Sequence, residues 1–338
     1  MFRFRGKFYR YRGQVFGTTS APRDFTVLLQ PVISFLRSFG ITLCILLDDI
    51  WIGAMLSAQC AQDTQDVLII LSFLGFVIEA KKTQLAPSQR MEWCGTMIDS
   101  VLMEFSVPTK KVQDARRKFR QARALCKSGE RMTLRRWASV LGVMRSWQHA
   151  VFVAMLRSQP LQRLVSHHIR HDKSCWDKLL PLPLPEVMEA LVRFLSPGFH
   201  KYNGRPVRPL PIDMMTESDA SGYGAGIVQT HPLPQTEARW HWDRSELPKH
   251  INWKELMATM RGLKALDLET PGLLLNRVIQ NSTDNTTSLR YVNKFGGRVR
   301  DLSLQAELWW HWLLEMGSEL RDLFLPGVDN IRVDTASR

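Results

Sequence analysis

The chain has 338 residues, of which 45% are hydrophobic, so it can build the cores of about two domains. Its formal net charge of +13 favours a polyanionic partner, nucleic acid before membrane. Five scattered cysteines without a CxxC pair argue against a disulfide framework, and the longest apolar stretch is shorter than the roughly 20 residues that span a bilayer. We therefore expect a cytoplasmic and/or nuclear protein without a signal peptide or transmembrane segment.

The first third of the chain predicts strands and helices in alternation. Residues 1–12 alternate aromatic and basic side chains, which indicates β structure. The predicted elements are a hairpin with a Gly6-Lys7 turn, a helix over 25–39 closed by Gly40, apolar strands over 41–47 and 50–54 that flank Asp48-Asp49, a helix over about 61–74 and an extended segment over 76–78. This order predicts α+β packing on one sheet.

From about Pro108 the composition changes to a basic, helical stretch. Its first helix carries a cluster of cations: Lys110, Lys111, Arg116, Arg117, Lys118, Arg120 and Arg123. Such a face can follow a phosphate backbone, although a solvated helix face has the same composition. Thr133 is the predicted N-cap of a second helix, and prolines between 181 and 211 indicate connectors.

After Pro211 the pattern changes to β and then to α/β. The predicted elements are a strand over 212–218, a glycine-punctuated hairpin over 222–226, a helix over 252–266, a strand over 273–279, a helix over 286–295, a tryptophan-bearing helix near 309–312 and an extended segment over 331–333. We place domain boundaries at 104/105 and 204/205.

Four acidic residues in this last part stand where strands end or helices begin: Asp219, Glu255, Asp284 and Asp334. Each has an ordinary structural explanation when it is taken alone. Asp219 precedes glycines and suits a turn, Glu255 completes a capping box with Asn252, and Asp284 suits a helix N-cap. Together they suit another purpose, because two-metal phosphodiester hydrolysis requires several carboxylates that converge on hard divalent cations.

The four acidic residues lie in motifs that resemble the type I ribonuclease H domain of retroelement polyproteins. The motifs read Glu217-Ser-Asp-Ala-Ser221, Asn252-Trp-Lys-Glu-Leu256, Ser282-Thr-Asp-Asn285 and Asn330-Ile-Arg-Val-Asp-Thr-Ala-Ser-Arg338, in the family's order. Val333 and Ala336 depart from the usual alanine and leucine, and the histidine found before the last aspartate in cellular enzymes is not evident. The resemblance implies that all four acidic residues bind Mg²⁺ or Mn²⁺ and cut the RNA strand of RNA/DNA hybrids.

The N-terminal motifs resemble the palm of retroelement reverse transcriptases. They are Phe16-Gly-Thr-Thr-Ser-Ala-Pro-Arg23, Ile45-Leu-Leu-Asp-Asp49, Lys81-Lys82-Thr83 and Met91-Glu-Trp-Cys-Gly95. The resemblance implies that Asp48 and Asp49 are palm carboxylates with a metal at Asp48. It also implies that Gln14, Phe16, Gly17 and Lys82 face nucleic acid, together with Lys110, Lys111, Arg116, Arg117 and Arg120 of the basic helix. The wording of these motifs is most similar to DIRS-like retrotransposons.

The family's first palm aspartate would lie upstream of the hairpin, and no acidic residue precedes Asp24. We therefore expect no metal-dependent primer extension by this chain, since that reaction uses two metals bridged by carboxylates from both places. Zinc at His167, His168, His171 and Cys175 is disfavoured, because the spacing lacks a clear fourth ligand.

The sequence as a whole predicts α+β and α/β folding in three parts. These are a partial palm over 1–104 with an Asp-Asp hairpin, a helical thumb or connection with linker over 105–204, and a ribonuclease H-like α/β domain over 205–338. The predicted function is hydrolysis of the RNA strand of hybrids, with DNA synthesis belonging to a longer parent. The competing hypothesis is a catalytically inactive retroelement remnant that at most binds nucleic acid.

Overall fold

The computed structural model describes residues 2–15, 17–171, 175–183 and 185–329. Its contacts divide the chain into two units, Met1–Glu104 and Phe105–Arg338. Helices and sheets occur in both, which confirms the mixed α+β and α/β fold class. Within the described ranges, every helix is too short or too polar to cross a membrane.

The first unit combines short antiparallel hairpins with two helices. Its elements are β1 (Phe2–Phe4), β2 (Lys7–Tyr9), α1 (Ala21–Ser38), β3 (Thr42–Leu46), β4 (Asp49–Gly53), α2 (Ser57–Phe73), β5 (Arg90–Trp93) and β6 (Thr96–Asp99). Apolar residues at helical spacing in α1 pack with β3 and α2 around one small core, formed by Leu29, Ile33, Leu36, Ile41, Leu43, Val67 and Leu71. Gly40, at φ +83°, follows the end of α1 as predicted.

Two details of the first unit differ from the sequence prediction. The first hairpin turns at Arg5-Gly6 rather than Gly6-Lys7, because both turn residues adopt the positive φ that a two-residue hairpin turn requires. The segment 76–78 forms no strand. Its apolar character reflects packing beside a helix end, where the Phe76 N–H donates to Leu71 O at 2.9 Å and the ring contacts Phe25.

The second unit begins with a helical part. Its elements are β7 (Glu104–Ser106), α3 (Thr109–Lys127), α4 (Leu134–Ser146), α5 (Ala154–His171), α6 (Pro185–Leu195) and β8 (Arg205–Pro206). The predicted N-cap is confirmed, since the Thr133 hydroxyl accepts the Arg136 N–H at 3.3 Å. Large side chains such as Phe119, Trp137 and Phe194 are fully buried in its core.

The α/β part of this unit carries a five-stranded sheet. Its elements are β9 (Met214–Ala220), β10 (Gly224–His231), β11 (Thr236–His241), α7 (Ile251–Glu269), β12 (Val278–Thr283), α8 (Thr286–Asn293), α9 (Arg300–Glu315) and β13 (Glu319–Phe324). The strand order is β11-β10-β9-β12-β13, with antiparallel pairing from β11 to β9 and parallel pairing from β9 to β13. Parallel neighbours bring the ends of β9 and β12 to the same edge of the sheet.

The strand predicted over 273–279 begins only at Val278. The residues before it form turns that close the end of α7. Leu274 is buried there, and its N–H donates to the Asp267 side chain at 3.1 Å. The apolar run over 273–279 thus combines a buried turn at the end of α7 with the start of β12.

Helix α5 joins the helical and α/β parts. Its Leu156 is buried in the core of the α/β part, and the Gln159 side chain donates to Lys294 O at 2.9 Å. The Arg163 guanidinium pairs with Glu307 and lies 3.7 Å from a Glu186 oxygen. The two parts therefore share side chains across a packed and hydrogen-bonded contact.

Helix α7 lies directly on the sheet. A Cβ atom at Gly262 would come within 2.6 Å of the Ile227 side chain on β10. Glycine therefore permits a close approach of helix and strand that a larger residue would prevent. This approach fixes the distance between α7 and β10.

We predict that Gly262→Ala lowers the free energy of unfolding by about 1–3 kcal/mol, because overpacking outweighs the helix propensity of alanine. Urea unfolding measures this change. Gly142→Ala in α4 is the matched control, since no atom lies within 4 Å of its added Cβ. The control should be neutral or gain up to about 1 kcal/mol. Equal responses of the two variants would contradict the close approach.

Candidate metal centre

Three of the four predicted carboxylates converge at one edge of the sheet. Asp219 lies near the end of β9, Glu255 in the second turn of α7, and Asp284 directly after β12. One ligand oxygen from each lies within 4.8 Å of the others. Residues that are 65 positions apart in the chain thus meet because β9 and β12 are parallel neighbours.

The structure does not support the ordinary explanations for these residues. The N-cap of α7 is His250, whose ring accepts the Asn252 N–H at 3.1 Å, so Glu255 is not a capping residue. Asn285 caps α8 in place of Asp284. Asp219 lies within a strand, opposite Gly226, and not in the turn that follows.

Glu255 has an unfavourable electrostatic position. It is 4% exposed, and burial raises its pKa to about 9, with further contributions from the charges of Asp219 and Asp284. A hydrogen bond from the Ala220 backbone offsets part of this increase. Among the residues described, no hydrogen-bond donor reaches the buried Oε2 atom. Burial and the two neighbouring carboxylates therefore both disfavour the ionised form of Glu255.

This donor set fits a divalent cation. Three carboxylates offer the hard oxygen ligands that Mg²⁺ and Mn²⁺ prefer, and a cation would satisfy the unpaired Glu255 oxygen. It would also remove the mutual repulsion of the carboxylates. The three residues are consequently the candidate ligands in the described part of the chain.

Two contacts that the sequence did not reveal hold α7 in place beside the cluster. The buried Lys254 ammonium donates to the carbonyl oxygens of Gly222 at 2.8 Å and Leu247 at 3.1 Å. The Asn285 side chain, while capping α8, donates to the Asn252 side chain at 3.1 Å. The first contact ties α7 to the turn after Asp219, and the second ties it to the start of α8.

A buried polar network lies beneath the cluster. Its centre is Asn281, whose Nδ2 lies 3.0 Å from Ser218 Oγ, 3.2 Å from Thr259 Oγ1 and 3.1 Å from Asp322 Oδ1. Because Nδ2 carries two hydrogens, it satisfies at most two of these three oxygens at once. Ser218 precedes Asp219, and Thr259 lies one helical turn after Glu255.

Asp322 is the charged member of this network. Burial raises its pKa to about 7, although the hydrogen bond from Asn281 lowers it. Its Oδ2 finds no hydrogen-bond donor within the described ranges. The sequence offered no signal for this residue, because its strand, β13, was not predicted.

The remaining predicted metal ligands are not among these three residues. Asp334 lies outside the described residues. The turn between β3 and β4 is Leu47-Asp48 rather than the predicted Asp48-Asp49, because Asp49 pairs with Leu46 as the first residue of β4; both aspartates are exposed. In the described ranges they belong to no group of three potential ligands.

The predicted nucleic-acid contacts of the first unit lie in exposed or polar surroundings. The Gln14 side chain donates to Asp24 at 2.5 Å, Gly17 adopts φ +85°, and Lys82 is exposed in a turn. Phe16 lies outside the described residues.

The basic helix α3 divides its cations between two roles. Lys110, Lys111, Arg117 and Arg120 are exposed. Arg116 is half-buried, and its guanidinium donates to Ser196 O at 3.3 Å, so it also holds α3 to the end of α6. Arg117 pairs with Asp114 at 2.7 Å on the surface.

Solved structures similar to this chain include viral and cellular proteins. A foamy viral protease-reverse transcriptase in complex with an RNA/DNA hybrid aligns with 97% of this chain and 41% of its own, at 16% identity and a TM-score of 0.48. Ribonuclease H1 from Halobacterium salinarum aligns with 36% of this chain and 92% of its own, at 14% identity and a TM-score of 0.29. LC11-RNase H1 in complex with an RNA/DNA hybrid aligns with 36% of this chain and 91% of its own, at 19% identity and a TM-score of 0.29.

This chain therefore spans less than half the length of the foamy viral chain. No protein-family profile matches its sequence, and neither does any curated protein sequence. At these identities the similarity concerns the fold alone, so the function has to be derived from the geometry of the site.

We predict that Mg²⁺ or Mn²⁺ raises the melting temperature, and that the gain grows as the pH rises towards about 9. The cation requires ionised Glu255, and the metal-free fold retains the proton on this residue until its raised pKa is passed. Thermal unfolding with and without metal measures the gain. Glu255→Gln should melt higher than the parent without metal and lose the pH-dependent gain. The exposed Glu315→Gln should behave like the parent, and an unchanged gain in Glu255→Gln would contradict the assignment.

We predict that Asp322→Asn changes the pH dependence of stability. The pKa of Asp322 is 3.8 in the unfolded chain and about 7 in the folded protein. The free energy of unfolding therefore falls as the pH rises between these two values. At the raised pKa this loss is on the order of 4 kcal/mol, and the variant should lack it. Urea unfolding of the variant and the parent at each pH of this range measures the change. The difference between the two proteins separates the contribution of Asp322 from that of Glu255, which both retain. Parallel curves would show that Asp322 does not titrate as proposed.

Proposed function

We propose that the second unit is a ribonuclease H-type nuclease that hydrolyses the RNA strand of RNA/DNA hybrids with Mg²⁺ or Mn²⁺. The observation that carries this proposal is the convergence of Asp219, Glu255 and Asp284 within 4.8 Å of one another. These are the same residues that the ribonuclease H resemblance singles out. In the same proposal, Asp334 is the fourth ligand.

The chemistry of the residues supports a phosphodiesterase. Divalent cations, when bound, activate water and stabilise the charge on the leaving oxygen. Asp219 and Asp284 supply ligand oxygens from the rigid ends of two paired strands, and Glu255 supplies one from the buried side. The reaction adds one water molecule across a P–O bond, so it requires no redox partner or organic cofactor.

The choice of substrate follows from charge and from the sequence motifs. The chain carries a net charge of +13, and Lys110, Lys111, Arg117 and Arg120 present an exposed basic face on α3, with Arg116 beside them. We assign this face to phosphate contacts, which bind the substrate without reading its sequence. Two of the similar solved structures are themselves described in complex with an RNA/DNA hybrid.

The first unit completes the proposal for a longer parent protein. We assign its β3–β4 hairpin, with Asp48 in the turn and Asp49 at the start of β4, to the palm of a retroelement reverse transcriptase of the DIRS-like kind. Gln14, Phe16, Gly17 and Lys82 would lie along the nucleic acid in such a protein. RNA-directed DNA synthesis would be the activity of that parent.

We predict metal-dependent cleavage of the labelled RNA strand in a hybrid, and none of a DNA duplex of the same sequence. Asp284→Asn should reduce the cleavage rate by more than the roughly 10- to 100-fold typical of residues that only support a metal ligand. Single-turnover cleavage with Mg²⁺ and with Mn²⁺ measures the rate.

Asp301→Asn is the matched control, because this exposed aspartate on α9 lies outside the cluster and pairs only loosely with Lys249 at 3.7 Å. It should cleave like the parent. Equal cleavage rates of the parent and Asp284→Asn would mean that the carboxylate cluster does not cleave the RNA strand. A stable, metal-binding chain without cleavage would favour the inactive, nucleic-acid-binding alternative.

A further inference from the structure

Residues 2–12 form an exposed surface that the proposed nuclease does not use, and we call it the aromatic–basic hairpin. It consists of β1, β2 and the residues up to Arg12, and every residue in it is exposed. It contains five cations, Arg3, Arg5, Lys7, Arg10 and Arg12, and no acidic residue. A sheet face of this charge suits a polyanion.

The aromatic residues of the hairpin lie in an ordered arrangement. Cross-strand pairing puts Phe2 opposite Tyr9 and Phe4 opposite Lys7, so these four side chains share one face of the hairpin. The rings of Phe2 and Tyr9 are stacked, with centroids 5.6 Å apart and planes inclined by 21°. The ring of Tyr11 lies 5.1 Å from that of Phe2 and extends the row.

Cations lie over two other rings of the hairpin, one on each face. The Arg5 guanidinium lies 5.3 Å from the ring centre of Phe4, and Arg3 lies 5.7 Å from that of Phe8 on the opposite face. Exposed rings and cations on one short hairpin offer stacking surfaces and phosphate partners together. An isolated two-stranded hairpin has little stability in water, so a ligand that covers this face would also stabilise it.

We propose that the aromatic–basic hairpin binds single-stranded nucleic acid, with bases stacked on the row of Phe2, Tyr9 and Tyr11 and phosphates paired with the neighbouring cations. A duplex does not fit this role, because its bases are already stacked on one another. An anionic lipid surface fits less well, because the tip of the hairpin is Arg5-Gly6 and carries a charge where an apolar side chain would have to insert.

Stacking and charge can be tested separately, because every substituted side chain is exposed. Fluorescence anisotropy with labelled oligothymidylate and oligouridylate, without divalent metal, measures binding of DNA and RNA strands. Phe2→Ala/Tyr9→Ala should weaken binding about tenfold or more, since one stacked base contributes roughly 1–3 kcal/mol. Arg10→Gln/Arg12→Gln should lower the salt dependence of the affinity by about 0.7 per charge removed.

Phe35→Ala/Phe39→Ala is the matched control, because these rings form another exposed aromatic pair, 4.9 Å apart on α1. It should bind like the parent. The proposal is overturned if both double variants bind oligonucleotide equally weakly, or if both bind like the parent. It is also overturned if the hairpin variant loses as much affinity for duplex DNA as for single strands. Binding to anionic vesicles that is lost with the same residues, without oligonucleotide binding, would overturn it too.

The strand preference completes the test. Equal binding of both oligonucleotides would fit recognition through base faces alone, and a preference for oligouridylate would fit the same stacking with added contacts to the 2′-hydroxyl. Hybrid cleavage by all these variants should match the parent, because the hairpin contributes nothing to the carboxylate cluster. Loss of oligonucleotide binding with normal cleavage, or normal binding without cleavage, therefore distinguishes this proposal from the nuclease.

Discussion

The buried carboxylate of Glu255, held between two further carboxylates, is the constraint on which the rest of the α/β part depends. A charge in this position loses its hydration and is repelled by its neighbours, which raises its pKa to about 9. Such a group destabilises the metal-free fold at neutral pH. A cation among the three carboxylates would offset this cost, and its binding would then be coupled to folding.

Several otherwise unrelated features keep these carboxylates together against their repulsion. The lack of a side chain at Gly262 lets α7 approach the sheet closely. The Lys254 ammonium fixes the start of the same helix to the turn after β9, and the Asn285 side chain links it to α8. These contacts hold together the elements that carry the three carboxylates.

The network around Asn281 and Asp322 shows a second unfavourable charge in the same core. Asp322 is fully buried and only partly hydrogen-bonded, so its pKa is raised to about 7. Ser218 and Thr259 lie beside the same Asn281 amide and belong to β9 and α7, the strand and helix that carry Asp219 and Glu255. The first unit contains no comparable buried cluster of carboxylates among its described residues, and its notable chemistry lies on its surface.

The sequence by itself determined the fold class, the β3–β4 hairpin, the Thr133 cap and the candidate carboxylates, because these depend on local periodicity, turn chemistry or recognisable motifs. It placed the turn of that hairpin one residue too late, at Asp48-Asp49 instead of Leu47-Asp48. It did not predict β13, β5 or β6, and it extended the strand before Val278 too far, since short apolar runs fit strands and buried turns equally well. The sequence also left open whether Glu255 caps a helix or faces a metal, because its spacing from Asn252 fits a capping box.

Only the tertiary structure showed that Glu255 does not cap α7 and lies in a cluster of three carboxylates. It placed Asp219, Glu255 and Asp284 within 4.8 Å by pairing β9 with β12 in parallel and laying α7 across them, and it buried Asp322 beneath the cluster. Distances between residues far apart in the chain, and the electrostatic effects that depend on them, arise from long-range packing. No local pattern in the sequence contains that information.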